Sequence, residues 1–135
     1  MVKYIGKKTT IADGTAVMGE LKDITGPDIK IAELETTVYD TTTWRTFSAG
    51  LKDGGTVGIV VFYDGADASM NRMYLRAIAD PSLNTDTYTI TLPDGKTMIF
   101  TGIIVGVPIS IPIDENILMT FSLKVSGAIT GTLGT

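Results

Sequence analysis

The 135-residue sequence contains no cysteine and no histidine. Without cysteine there is no disulfide frame, no thiolate nucleophile and no Cys-based metal site. Without histidine, the Ser-His-Asp triad, the Cys-His pair and the common zinc sites are excluded as well. Charge is also scarce, at 19 % of residues against about 25 % in ordinary globular domains. The charge present leans acidic, with 15 Asp+Glu against 11 Lys+Arg and a net charge of −4. The cationic surplus that releases counterions from phosphates is therefore missing, which argues against a nucleic-acid-binding role. The longest apolar stretch, Ile103 to Ile113, is broken by Gly106, Pro108 and Pro112 and falls short of the ~20 residues that span a bilayer. Lys3, Lys7 and Lys8 form a small basic cluster read as a solvated arm, with no apolar run of signal-peptide length around it. No membrane association is expected, and the chain is expected to fold where it is made.

What is abundant is apolar and β-branched. Hydrophobic residues make up 44 % of the chain, and Thr (21) and Ile (16) dominate. The mean hydropathy of +0.25 is high for a soluble monomer of this length. A small domain cannot hide so much apolar surface inside itself, which points to extensive protein–protein interfaces; an Ile-rich β-domain is the plainer alternative. The dominant period is two. A short strand is expected at Val17 to Leu21 and another within Pro27 to Val38, where Ile29 and Ile31 share a face. Val57 to Tyr63 is apolar on both faces, as a central strand is. Tyr88, Ile90 and Leu92 alternate with threonines, and Pro93-Asp94-Gly95 turns into a strand over Lys96 to Val107. Met119, Phe121, Leu123 and Val125 alternate with Thr120, Ser122 and Lys124, a half-buried strand. Ser126 to Thr135 reads as an ordered or frayed arm. One segment has helical spacing: Met70, Met73, Tyr74, Ala77 and Ile78 line one face, Arg72 and Arg76 lie opposite, Asp67 is the N-cap and Pro81 the stop. Residues 39–55, with Thr41-Thr42-Thr43 and four glycines between Gly50 and Gly58, read as a loop and a φ-positive turn feeding a buried strand.

No motif carries chemistry. Glu33 and Glu35 sit two apart on one strand face, not across a cleft as a glycosidase pair must. Asp64-Gly65-Ala66-Asp67 lacks the alternating ligands and terminal Glu of a calcium loop and is explained by a turn and a helix cap. Gly6-Lys7-Lys8-Thr9 lacks the upstream glycine and strand of a phosphate-binding loop. Asp53-Gly54-Gly55 precedes a strand instead of the helix that a dinucleotide site needs. The expectation is no enzyme, no cofactor, no metal and no catalytic residue.

The turn Gly50-Leu51-Lys52-Asp53-Gly54-Gly55 before a strand, preceded by Ile24-Thr25-Gly26-Pro27-Asp28-Ile29-Lys30 and Glu33-Leu34-Glu35-Thr36-Thr37, resembles the tail tube proteins of long-tailed bacteriophages, with a lambda-like tube domain. The resemblance covers Ile24 to about Asp80 well and the later strands by pattern alone. It implies a mainly β fold, two antiparallel sheets packed as a sandwich or barrel with one flanking α-helix at about residues 67–79. It also implies that residues 1–135 form a single tail-tube domain without the additional C-terminal immunoglobulin-like domain of some relatives.

In function, the resemblance implies a structural subunit that assembles in the host cytoplasm into hexameric rings. These stack into the tube of the virion tail through which the genome is ejected. It further implies a tape measure protein, a tail terminator and tail-tip proteins as partners, and DNA that passes the lumen without specific binding, in keeping with the acidic balance. Trp44, Arg45, Phe47, Leu51, Lys52 and Asp53 are the candidate subunit-interface residues, large apolar or planar groups and their charged neighbours on an apparent loop. That the loop folds back and buries its aromatic and apolar members in its own core is the alternative. Two rival functions stay open: the tube subunit of a contractile injection or type VI secretion machine, and a small-ligand-binding β-barrel with an apolar cavity.

Overall fold

The structure, a computed structural model, describes residues 3, 5–19, 21–38, 44–79 and 84–134. Among the described residues nine strands and one α-helix follow one another: a 3-10 turn at Gly6–Lys8, β1 (Thr10–Ala12), β2 (Leu21–Thr25), β3 (Lys30–Glu35), β4 (Phe47–Asp53), β5 (Thr56–Phe62), α1 (Ala68–Ile78), β6 (Thr85–Thr91), β7 (Thr97–Gly106), β8 (Ile109–Ser110) and β9 (Leu118–Thr130). Seven strands form one antiparallel sheet in the order β1-β6-β7-β9-β5-β2, with β8 added beside β9. The sheet curls until β2 faces the Gly6–Thr9 segment and Leu92 across a cleft of about 410 Å³, so the barrel is nearly closed. β3 and β4 form a separate two-stranded sheet. The mainly β fold with one flanking helix is the architecture expected from the sequence.

Alternation builds the core. Val57, Ile59 and Val61 from β5, Tyr88 and Ile90 from β6, Phe100 and Ile104 from β7, and Met119, Phe121, Leu123 and Val125 from β9 all point inward and are buried. Tyr88 and Phe100 stack with ring centroids 5.8 Å apart. Full burial of each large apolar side chain contributes about 1.5–3 kcal/mol. Pro93-Asp94-Gly95 makes the expected turn, with Leu92 and Lys96 closing it through a backbone hydrogen bond of 2.8 Å.

Four expectations need correction. Val17 makes a single bridge to Ala12, and the strand proper begins where the expected one ended, at Leu21, because the Gly19 N–H is taken by the Asp67 carboxylate at 2.8 Å. Residues 47–53, read as loop, are strand β4: pairing with β3 outweighs the glycine and threonine content of the segment. Residues 39–43 of the same stretch lie outside the described residues, as does Pro81. β9 runs on to Thr130, since its last residues pair with β7, so residues 126–130 of the expected arm are strand.

The fourth correction concerns the helix. Asp67 caps α1 as expected, accepting from the Ser69 and Met70 N–H groups. Met70 and Met73 are buried, but Tyr74 and Ile78 are exposed, and Arg72 and Arg76 face the body of the molecule instead of solvent. The reason is Asp13, whose side chain is 1 % exposed and cannot stay charged without a cation. Its carboxylate accepts from Arg72 Nε at 2.7 Å, from Arg76 at 3.4 Å and from the Thr15 and Ala16 N–H groups at 2.9 Å. Arg76 also pairs with Asp86 at 2.7 Å, and Asp86 accepts from the Gly14 N–H. Ser69, Arg72, Met73 and Arg76 thus form the i, i+3, i+4, i+7 stripe that fastens α1 to the turn after β1 and to β6.

Burial opposes the Asp13 charge most strongly. The Arg72 guanidinium and the two backbone N–H groups together outweigh it and hold the carboxyl down at about 2. A depressed carboxyl stabilises the fold above its unfolded pKa, and that stability is lost as pH falls through the folded value. Unfolding stability is therefore expected to drop by about 2 kcal/mol as pH is lowered from 4 towards 2. Denaturant melts across that window should show this drop, and Asp13→Asn, already destabilised at neutral pH, should lack it.

Candidate subunit interface

The β4–β5 turn positions the segment that the sequence singles out. Gly54 lies so close to β9 that a Cβ there would meet Val125 Cγ1 at 2.5 Å. Gly55 has φ of 74°, and a Cβ on it would clash with the Asp28 carbonyl. Only glycine fits both positions. The turn is then pinned to β9, because the Val125 N–H donates to the Gly55 carbonyl at 3.0 Å. Asp53 accepts from Lys124 Nζ and from the Gly55 N–H, both at 2.8 Å, and these contacts, that of Lys124 first, lower its carboxyl below the usual range.

β3 and β4 leave the body of the molecule from this anchor. All six residues of β3 are exposed, and so is every residue of β4 except Gly50. A two-stranded sheet with so little burial is marginal by itself. The candidate residues form two clusters, Trp44, Arg45 and Phe47 at the start of β4 and Leu51, Lys52 and Asp53 at its end, with Phe47 and Leu51 about 13 Å apart at ~3.3 Å per residue.

At the anchored end, Leu51, Lys52 and Asp53 line a groove of about 760 Å³ together with Ile29, Ile31, Val125 and Ile129. Leu51 is 90 % exposed. At the far end lie Trp44, Arg45 and Phe47, with Trp44 81 % exposed. There the Arg45 guanidinium pairs with Glu35 at 2.9 Å and stands over the Phe47 ring at 5.7 Å. The Arg45 contact, ahead of that with Thr37, lowers the Glu35 carboxyl. Trp44, Phe47 and Leu51 are thus turned to solvent in the subunit and are not part of its core.

Sequence reasoning missed a second apolar surface. Val105, Ile109, Ile111 and Ile113 are exposed beside β8, Ile113 completely. The signal was present in the Ile-Pro-Ile spacing, which fits neither a strand interior nor a polar loop.

Among the described residues, the barrel interior is filled by Tyr88, Phe100, Phe121 and the aliphatic side chains around them. Among the described residues no three acidic side chains come together as a metal site, and no helix is long and apolar enough to cross a membrane.

No protein-family model matches this sequence, and no curated protein matches it. Solved structures do match in fold. A chain in the tail of an empty gene transfer agent particle, an assembly with C6 symmetry, superposes with a TM-score of 0.73 at 13 % identity, over 96 % of this chain and 99 % of that one. A chain of the sheath/tube terminator of the extracellular contractile injection system PVC gives 0.77 at 11 % identity, over 97 % of each chain. The SPP1 tail tube gives 0.64 at 15 % identity, over 96 % of this chain and 79 % of that one. The chain has the tail-tube fold. The resemblance read from the glycine turn is thereby matched in three dimensions along nearly the whole chain.

Because Trp44 is a surface residue of the subunit, Trp44→Ala is expected to change unfolding stability by about 1 kcal/mol or less. Phe121→Ala, which empties the core, should cost roughly 3–5 kcal/mol. Denaturant melts of the two variants against wild type check both values.

Proposed function

We propose that this protein is the structural subunit of a virion tail tube, assembling as stacked hexameric rings into the conduit for genome ejection. The observation that carries this reading is the match over almost the full length of both chains to a subunit of a six-fold tail. Exposed apolar side chains support it: Trp44, Leu51, Ile111 and Ile113 on a chain with few charges are groups that a polymer covers and a monomer leaves wet. Ring closure also removes the sheet edges that β1 and β2 present in the subunit. Trp44, Arg45, Phe47, Leu51, Lys52 and Asp53 are the proposed contact residues, and residues 1–135 act as one tube domain.

The role is mechanical and not enzymatic. Its partners are copies of itself along the tube, with a tape measure protein inside it and terminator and tip proteins at its ends. DNA passes without being gripped, because a subunit of net charge −4 cannot neutralise many phosphates at once.

The match to a contractile injection system supports a second reading, the inner tube of such a machine. Genes for a sheath beside the one encoding this chain would favour that reading, and capsid genes without a sheath the first.

Concentrated protein is expected to form rings or tubes of constant diameter under negative-stain electron microscopy, with a matching rise in light scattering. Trp44→Ala and Leu51→Ala should slow or abolish the rise while the monomer melts normally. A species that stays monomeric at millimolar concentration in every salt condition contradicts the reading. The same preparations should show no salt-sensitive binding of double-stranded DNA at physiological ionic strength.

A further inference from the structure

The chain carries an apolar groove and an exposed apolar segment near opposite ends of one strand. The groove of about 760 Å³ lined by Ile29, Ile31, Leu51 and Ile129 lies beside the C-terminal part of β9. The segment Ile111-Pro112-Ile113-Asp114-Glu115 lies at its N-terminal end, where β8 pairs with it through Ile109 and Met119 and through Ser110 and Leu118. Between Leu118 and the Val125–Ile129 stretch, β9 separates the two by about 23–36 Å at ~3.3 Å per residue. One copy therefore cannot fill its own groove with its own loop.

The two features match in polarity and charge. Pro112 fixes its own φ and holds Ile111 extended, so Ile111 and Ile113 are presented on a stiff segment with little ordering left to lose. Ile111 is 71 % exposed and Ile113 entirely so. Directly after them come Asp114 and Glu115, both exposed and forming no ion pair among the described residues. The groove wall carries Lys52, which likewise forms no ion pair among the described residues and whose Lys124 neighbour is already engaged by Asp53. An apolar-acidic loop and an apolar groove whose acid, Asp53, is engaged by Lys124 while Lys52 forms no ion pair complement each other.

We propose that segment Ile111–Glu115 of one copy docks in the Ile29–Ile31–Leu51–Ile129 groove of the next, with Asp114 and Glu115 against Lys52. The contact is heterologous, head to tail, and so propagates from copy to copy instead of ending at a dimer. It rests on the tube-subunit reading and specifies which two surfaces of successive copies meet.

Because the chain has no cysteine of its own, Lys52→Cys and Asp114→Cys can be combined in one chain and the assembled protein treated with a short bismaleimide. A ladder of covalent oligomers from dimer upward is expected, and a 1:1 mixture of the two single variants should add a heterodimer that neither forms alone. Tubes that yield no ladder overturn the docking and leave the tube reading intact; wild-type protein that forms no rings or tubes overturns both. Ile113→Asp gives a second readout: assembly lost with an unchanged monomer melt is expected, and tubes formed as readily as by wild type overturn the docking.

Discussion

The structure hangs on β9. It is the longest strand, pairs with β5 on one side and with β7 and β8 on the other, and sends Met119, Phe121, Leu123 and Val125 into the core. The same strand receives the Gly54-Gly55 turn, through the Val125–Gly55 hydrogen bond and the Lys124–Asp53 pair. Its alternation thus does two things at once. It closes the hydrophobic interior, and it fixes the point from which the exposed β3–β4 sheet projects.

That division separates stability from assembly. The barrel holds nearly all the buried apolar side chains and is sealed by α1, which the Asp13–Arg72–Arg76–Asp86 network fastens to β1 and β6. The β3–β4 sheet holds none of the fully buried residues, and its Asp53 end is anchored to β9 through Lys124. Its surface ion pair, Arg45 with Glu35, is solvent-screened and contributes little to stability. A sheet of this kind gains order from what covers it, and in the proposed tube the cover is another copy of the chain.

Much of the barrel was legible in the sequence because period-two patterning and buried faces coincide there: Val57 to Val61, Tyr88 with Ile90, and Met119 to Val125 lie where the pattern puts them. The helix cap at Asp67 and the turn at Pro93-Asp94-Gly95 were legible from local chemistry. β4 was not, because its glycine content argues for a loop and only the pairing with β3 overrides that. The Asp13 network was not either: its two arginines lie 59 and 63 residues from Asp13, and a charge on a helix reads as solvent-facing unless its buried partner is known. The interface candidates were legible as residue types on an unusual segment. Their separation into a groove end and an aromatic end depends on the register of β4, which the sequence leaves open.

If neighbouring copies complete the β3–β4 sheet, as proposed, hydrogen exchange read before and after assembly will show it. In the isolated subunit, amides of Lys30–Glu35 and Phe47–Asp53 should exchange far faster than those of β5 and β9, because the pair opens without disturbing the core. In assembled material they should become protected by at least tenfold, while β5 and β9 change little. Protection of β3 and β4 equal to that of the core strands in the monomer, or no gain on assembly, would contradict the claim.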